Sequence, residues 1–176
     1  MTGHKVLKKQ FNSKKCIVCG MENDLGLKAR FYELDNDEVA AIFSVIEEHQ
    51  SYPGRMHGGM SSAMLDETIG RAIMITEPNT WAVTARLSVE YKKPMPLDET
   101  MLCIGRVTRN TRLIFEGEGE ILLPDGTVAV TATAKYRKLD LSKITTEDDA
   151  HAQEEWKVWL EKEETDPEEI LSLRHI

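Results

Sequence analysis

Between residues 55 and 70 the chain reads RMHGGMSSAMLDETIG, and two features of that stretch can do chemistry. His57, Gly58 and Gly59 lead into a run rich in Met, Ala, Leu and Ile, and the acidic pair Asp66 and Glu67 interrupts it. The first turn of a helix presents backbone N–H groups without intrahelical partners and the positive end of the macrodipole. Glycine there lets another molecule approach the main chain, so Gly58 and Gly59 read as donors to an anion or a developing oxyanion. A bare Gly-Gly is more simply read as a tight turn. Asp66 shifts that balance, because a carboxylate inside an apolar helix is costly to desolvate unless it is paired or sits at a functional cleft. Burial raises its pKa and makes it a better base near neutral pH. The competing reading puts Asp66 and Glu67 on a solvated side, with Arg71 as a local partner.

Helical geometry constrains how these groups work together. At 1.5 Å per residue, Gly58 and Asp66 lie roughly 12 Å apart along the axis. A reacting carbonyl needs its oxyanion donor and its base or nucleophile within about 3 to 3.5 Å. One subunit therefore does not supply both. Two copies with helices antiparallel about a two-fold axis set the helix start of one beside the carboxylate of the other, which makes two equivalent composite sites.

The elements that position these groups follow from hydrophobic period. LKARFYEL alternates at Leu27, Ala29 and Phe31 as a half-buried strand does, whereas EVAAIFSVI is apolar on both parities and is expected to be covered on both sides. EEHQSYPGRMHGG is loop, broken by Pro53 and its glycines. From about Gly59 to Thr76 the apolar spacing is helical nearly all the way round, with Pro78 as a stop, so this helix belongs in a core. Four strand-like runs follow, beginning with WAVTARLSVEYKKP; the last two flank Pro124-Asp125-Gly126 as a hairpin. Strands without further interleaved helices predict an α+β fold, an antiparallel sheet wrapped around one long central helix. The tail from Asp140 is predicted to add helix over 145–164, with Trp156, Trp159 and Leu160 forming a narrow apolar stripe, and a second helix start near Pro167.

Composition narrows the function. In 176 residues with a net charge of −8, residues 140–176 carry twelve acidic against four basic groups, so the remainder is neutral. A neutral body lacks the field that nucleic-acid binding needs, and the five lysines among the first fifteen residues read as a solvated basic arm. No apolar run spans a bilayer and no apolar leader follows the start, so a cytoplasmic protein without membrane contact is expected. Cys16-x-x-Cys19 is at most half of a tetrahedral zinc site, and no second pair or His-x-x-x-His follows. A metal would need ligands from elsewhere, and no metal is expected. Three regions result: an arm over 1–15, a domain over 16–139 and an acidic helical extension over 140–176.

The pattern His57-Gly58-Gly59, then Asp66 nine residues after His57, then TARLSVEYKKP, resembles the hot-dog-fold acyl-CoA thioesterases of the PaaI-like (4HBT) family, over roughly residues 16–138. The resemblance implies a sheet wrapped round a central helix and assembly as a homodimer or dimer of dimers. It places Asp66 as general base or nucleophile, the Gly58 N–H as the oxyanion hole, His57 as a shaper of that loop and Thr84 as a water-positioning hydroxyl. Strict alternation of Val83, Ala85 and Leu87 turns Thr84 to the other face unless a bulge intervenes. Ser51 stands where many members carry an Asn or Gln that assists the oxyanion. Gly59 and Glu67 join the substrate contacts, and Arg109, Arg112 and Lys92 are candidates for the CoA phosphates. No cofactor is implied beyond the CoA of the substrate, because a thiol of pKa about 8.5 leaves without a strong general acid. Two alternatives stay open, a non-catalytic acyl-CoA-binding or regulatory protein and, ranked lower, an acyl-thioester dehydratase or hydratase using His57.

Overall fold

The computed structural model describes residues 2–172. Strands β1 (Thr2–Lys9), β2 (Arg30–Leu34) and β3 (Glu38–Ser44) precede helix α1 (Gly58–Arg71). Strands β4 (Ala82–Tyr91), β5 (Thr100–Asn110), β6 (Ile114–Leu122) and β7 (Val128–Lys138) follow, then α2 (Asp149–Trp156) and β8 (Glu169–Ser172). All eight strands form one sheet in the order β4-β7-β6-β5-β3-β2-β1-β8, and each neighbouring pair is antiparallel.

Helix α1, continued by a tight turn over Ala72–Ile75, packs across strands β3 to β7. Met64, Leu65, Ile69 and Ile73 are fully enclosed with Phe31, Phe43, Phe115 and Ile121. Close approach of helix to sheet requires Gly105, where an added Cβ would lie 2.8 Å from the Thr68 backbone. Thr68 satisfies its buried hydroxyl by donating to the Met64 carbonyl at 2.7 Å. The double parity of β3 is explained by two cores: Val39, Ala41 and Phe43 face α1, while Ala40 packs with Tyr32, Leu34, Ile104 and Ile170 on the far side.

Both termini differ from the expectation. The lysine-rich start is the strand β1 rather than a solvated arm, paired with β2 on one side and with β8 on the other, Thr2 opposite Ser172. The second tail helix is replaced, over its described part, by β8; its last four residues, 173–176, lie outside the described residues. The first tail helix stops at Trp156, because Val158 bridges in extended form to Asn12 through reciprocal 2.8 Å bonds. Charge explains the attraction: Lys9 pairs with Asp166 at 2.8 Å, Arg30 with Glu163 at 3.0 Å and Lys14 with Glu155 at 3.1 Å. The basic start thus offsets part of the acidic tail's charge within one chain. The apolar stripe is used here too, with Trp159 edge-on to Phe11 and Trp156 tilted against Trp81.

Candidate active site

His57 is the N-cap of α1 in extended conformation, and its ring Nδ1 accepts the Gly59 N–H at 2.9 Å. Met60 donates back to the His57 carbonyl at 3.0 Å. The Gly58 N–H, between these two, donates to no group among the described residues, which leaves one first-turn donor open. The approach to the turn is fixed by buried His49, whose carbonyl accepts the His57 N–H at 2.8 Å and whose ring meets the Leu25 carbonyl at 2.8 Å. Tyr91 donates to the Gly58 carbonyl at 2.9 Å and borders, with Gly58, Lys92 and Lys93, a cavity of about 280 Å³.

Asp66 is half-buried two turns further on. A bulge in β4 between Thr84 and Arg86 re-aims Thr84, whose hydroxyl donates to the Asp66 carboxylate at 2.8 Å. Tyr136 of β7 donates to the Asp66 carbonyl at 2.7 Å and lies 3.2 Å from its Oδ1. Its ring stacks on Phe115 with centroids 4.6 Å apart. Burial pushes the Asp66 carboxyl above its ordinary pKa, the bonds from Thr84 and Tyr136 oppose that rise, and the neighbouring Glu67 charge adds to it. Burial and the Asp66 charge push the Tyr136 phenol up, so it stays protonated and donates. Asp66 opens on a cavity of about 310 Å³ walled by Ile73, Met74, Trp81, Val83 and Trp156.

The remaining predicted residues divide between these places and others. Lys92 lies with Gly58, and Gly59 is committed to His57. Ser51 sits in the exposed loop, where its N–H donates to the Arg55 carbonyl at 2.9 Å and its side chain makes no hydrogen bond among the described residues. Glu67 borders the same cavity as Asp66 and accepts from Arg71 at 2.8 Å. Arg109 stands opposite Glu116 on the exposed end of β5, and Arg112 borders a separate groove with Arg137 and Lys138 that shares Thr80 and Trp81 with the Asp66 cavity. Tyr136, Tyr91, His49 and the wall residue Trp156 are the site groups that sequence reading missed. For Tyr136 a signal existed, since Ala132, Ala134 and Tyr136 share the inward parity of β7.

Comparison with known proteins bears on the fold and the family. Residues 53–130 match the family model described as "Thioesterase superfamily". The acyl-coenzyme A thioesterase THEM4 of Rattus norvegicus is 27% identical over 139 residues, which covers 78% of this chain and 59% of the relative. The chain thus spans well under two thirds of that relative's length. A crystal structure of a thioesterase superfamily protein superposes with a TM-score of 0.62 at 26% identity, covering 69% of this chain and 59% of the other. The Escherichia coli PaaI protein shares the fold, with a TM-score of 0.58 at 14% identity over 65% of this chain and 81% of PaaI. Among the described residues no helix is long and apolar enough to cross a membrane. The central helix and the sheet wrapped round it give the chain the hot-dog fold of these structures, and its residues 53–130 are similar to the thioesterase superfamily.

Proposed function

We propose that the protein hydrolyses an acyl-CoA thioester at a site shared by two copies of the chain. One observation carries this reading: α1 holds an open N–H at Gly58 and a carboxylate gripped by Thr84 and Tyr136 at Asp66, about 12 Å apart along the axis. Two copies with antiparallel helices bring each donor to the other's acid.

The acyl group lies in the cavity beside Asp66, against Met74, Trp81 and Trp156. Asp66 takes a proton from water, and the resulting hydroxide adds to the thioester carbonyl. Charge developing on that oxygen meets the partner copy's Gly58 N–H. The C–S bond then breaks, CoA departs as thiolate and the free acid is released, and the proton held by Asp66 passes to the thiolate or to solvent, which restores the base. Thr84 and Tyr136 hold the carboxylate toward the water, a geometric role that does not require them to change protonation. Lys92 and Lys93, beside Gly58, lie where the CoA phosphates would leave the site. The Rattus norvegicus relative, named an acyl-coenzyme A thioesterase, supports this substrate class.

Hydrolysis is read by thiol release from acyl-CoA esters of short, medium, long and aryl acyl groups. Asp66→Asn is expected to lower kcat by about 10²- to 10⁴-fold while acyl-CoA still binds. If the unmutated protein binds these esters and hydrolyses none, the reading fails in favour of a binding module.

A further inference from the structure

Near the C-terminal end of α1 lie three side chains that the proposed hydrolysis does not use. The Sγ atoms of Cys16 and Cys19 and a carboxylate oxygen of Glu67 all lie within 4.8 Å of one another. Sequence alone offered two ligands; folding brings the third from a helix 48 residues beyond Cys19.

The loop is shaped for two inward sulfurs. Gly20 donates to the Cys16 carbonyl at 2.8 Å, and Val18 donates its N–H to the Cys16 sulfur at 3.3 Å, a bond that favours thiolate. A side chain at position 20 would place Cβ 2.4 Å from that same carbonyl, so the turn requires glycine directly after the second cysteine. Asn12, fully buried, donates to the Cys19 carbonyl at 2.8 Å and the Ala29 carbonyl at 2.9 Å, which pins the loop from behind. Little movement is needed to close the three atoms on an ion, since tetrahedral ligands at zinc–sulfur lengths are about 3.8 Å apart.

Charge balance supports a dication. Arg71 is fully buried, donating to Glu67 at 2.8 Å, to the Phe11 carbonyl at 2.7 Å and to the Cys19 sulfur at 3.3 Å. Two thiolates and one carboxylate carry three negative charges. Arg71 and a divalent ion carry three positive ones, and the pocket closes neutral, with Arg71 acting as the outer donor to a ligating sulfur. Two soft sulfurs and one oxygen select zinc over magnesium or calcium. We propose that Cys16, Cys19 and Glu67 bind a zinc ion, with water in the fourth position, fastening the N-terminal loop to the central helix. Binding displaces the two thiol protons to solvent.

The test uses untagged full-length protein purified in reducing, oxygen-free buffer with zinc, freed of excess metal and analysed for metal content. Cobalt(II) replacement then reports ligand type through thiolate-to-cobalt charge-transfer absorption. About one zinc per chain is expected, together with tetrahedral cobalt bands that remain in Cys103→Ala and vanish in Cys16→Ser/Cys19→Ser. Glu67→Gln should keep the sulfur band but weaken binding on the order of tenfold. Reduced wild-type protein with no zinc and no charge-transfer band overturns the site, as does a Cys16–Cys19 disulfide under these conditions or loss of the band in Cys103→Ala. Because the metal content and spectrum of the wild-type protein can by themselves overturn the site, a variant that fails to fold does not shield the proposal.

Discussion

At its first turn α1 leaves the Gly58 N–H open, with the Tyr91 ring over the glycine, and at its last turn it is locked. There Arg71 is enclosed by Phe11, Phe31 and Trp156, with the guanidinium carbon 4.2 Å from the Phe31 ring centroid, and it bonds Glu67, Phe11 and Cys19. The helix thus has an anchored end and an end available to another molecule, with Asp66 between them. An open donor is useful only if its position is defined, and the anchor supplies that definition at the cost of burying a charge.

Breaking the anchor is the most severe perturbation. Arg71→Met leaves Glu67 without its cation and should destabilise the fold by about 3 to 5 kcal/mol in urea denaturation, whereas a change confined to the open end should not. A buried acid on β6 sharpens the contrast. Glu120 is held by Arg106 at 2.7 Å, yet burial outweighs that pairing and raises its pKa from 4.5 to about 7, with the Glu38 charge adding to the rise. Between these two values the folded protein retains a proton that the unfolded chain has lost, so stability declines as pH rises through that window. The decline should amount to about 2 kcal/mol from pH 5 to pH 7 and flatten in Glu120→Gln, as denaturation midpoints at each pH would show. Tyr136→Phe is the mildest change. It removes the bond to Asp66 but keeps the ring on Phe115, and should cost about 1 kcal/mol of stability and lower kcat roughly tenfold with KM little altered.

Local period made the central helix, the strands β4 to β7 and the Pro124-Asp125-Gly126 hairpin legible, because each alternation or helical stripe matches the face it buries. The pairing of Asp66 with Thr84 was legible only as a condition, and the bulge between Thr84 and Arg86 met it. Tyr136 was not, since it reaches Asp66 from 70 residues away. The N-terminal strand escaped because three of its eight residues are lysines and its Leu7 is exposed, so it lacks a clean apolar alternation, and β8 because its four residues pair with the opposite end of the chain. The tail was over-read as helix for a related reason: the bridge from Val158 to Asn12 and the Lys9–Asp166 contact override a helical propensity that is local.

The central claim, that one copy's helix start completes the other's acid, is tested by mixing two inactive variants. Gly58→Pro removes the donor at the first helical position, where proline is tolerated and His57 already has the extended backbone, φ −66° and ψ 133°, that a following proline requires. In purified mixed dimers of Gly58→Pro with Asp66→Asn, one of the two sites regains both groups. Acyl-CoA hydrolysis at about half the wild-type rate per dimer is predicted. Mixed dimers no more active than either parent would contradict the account.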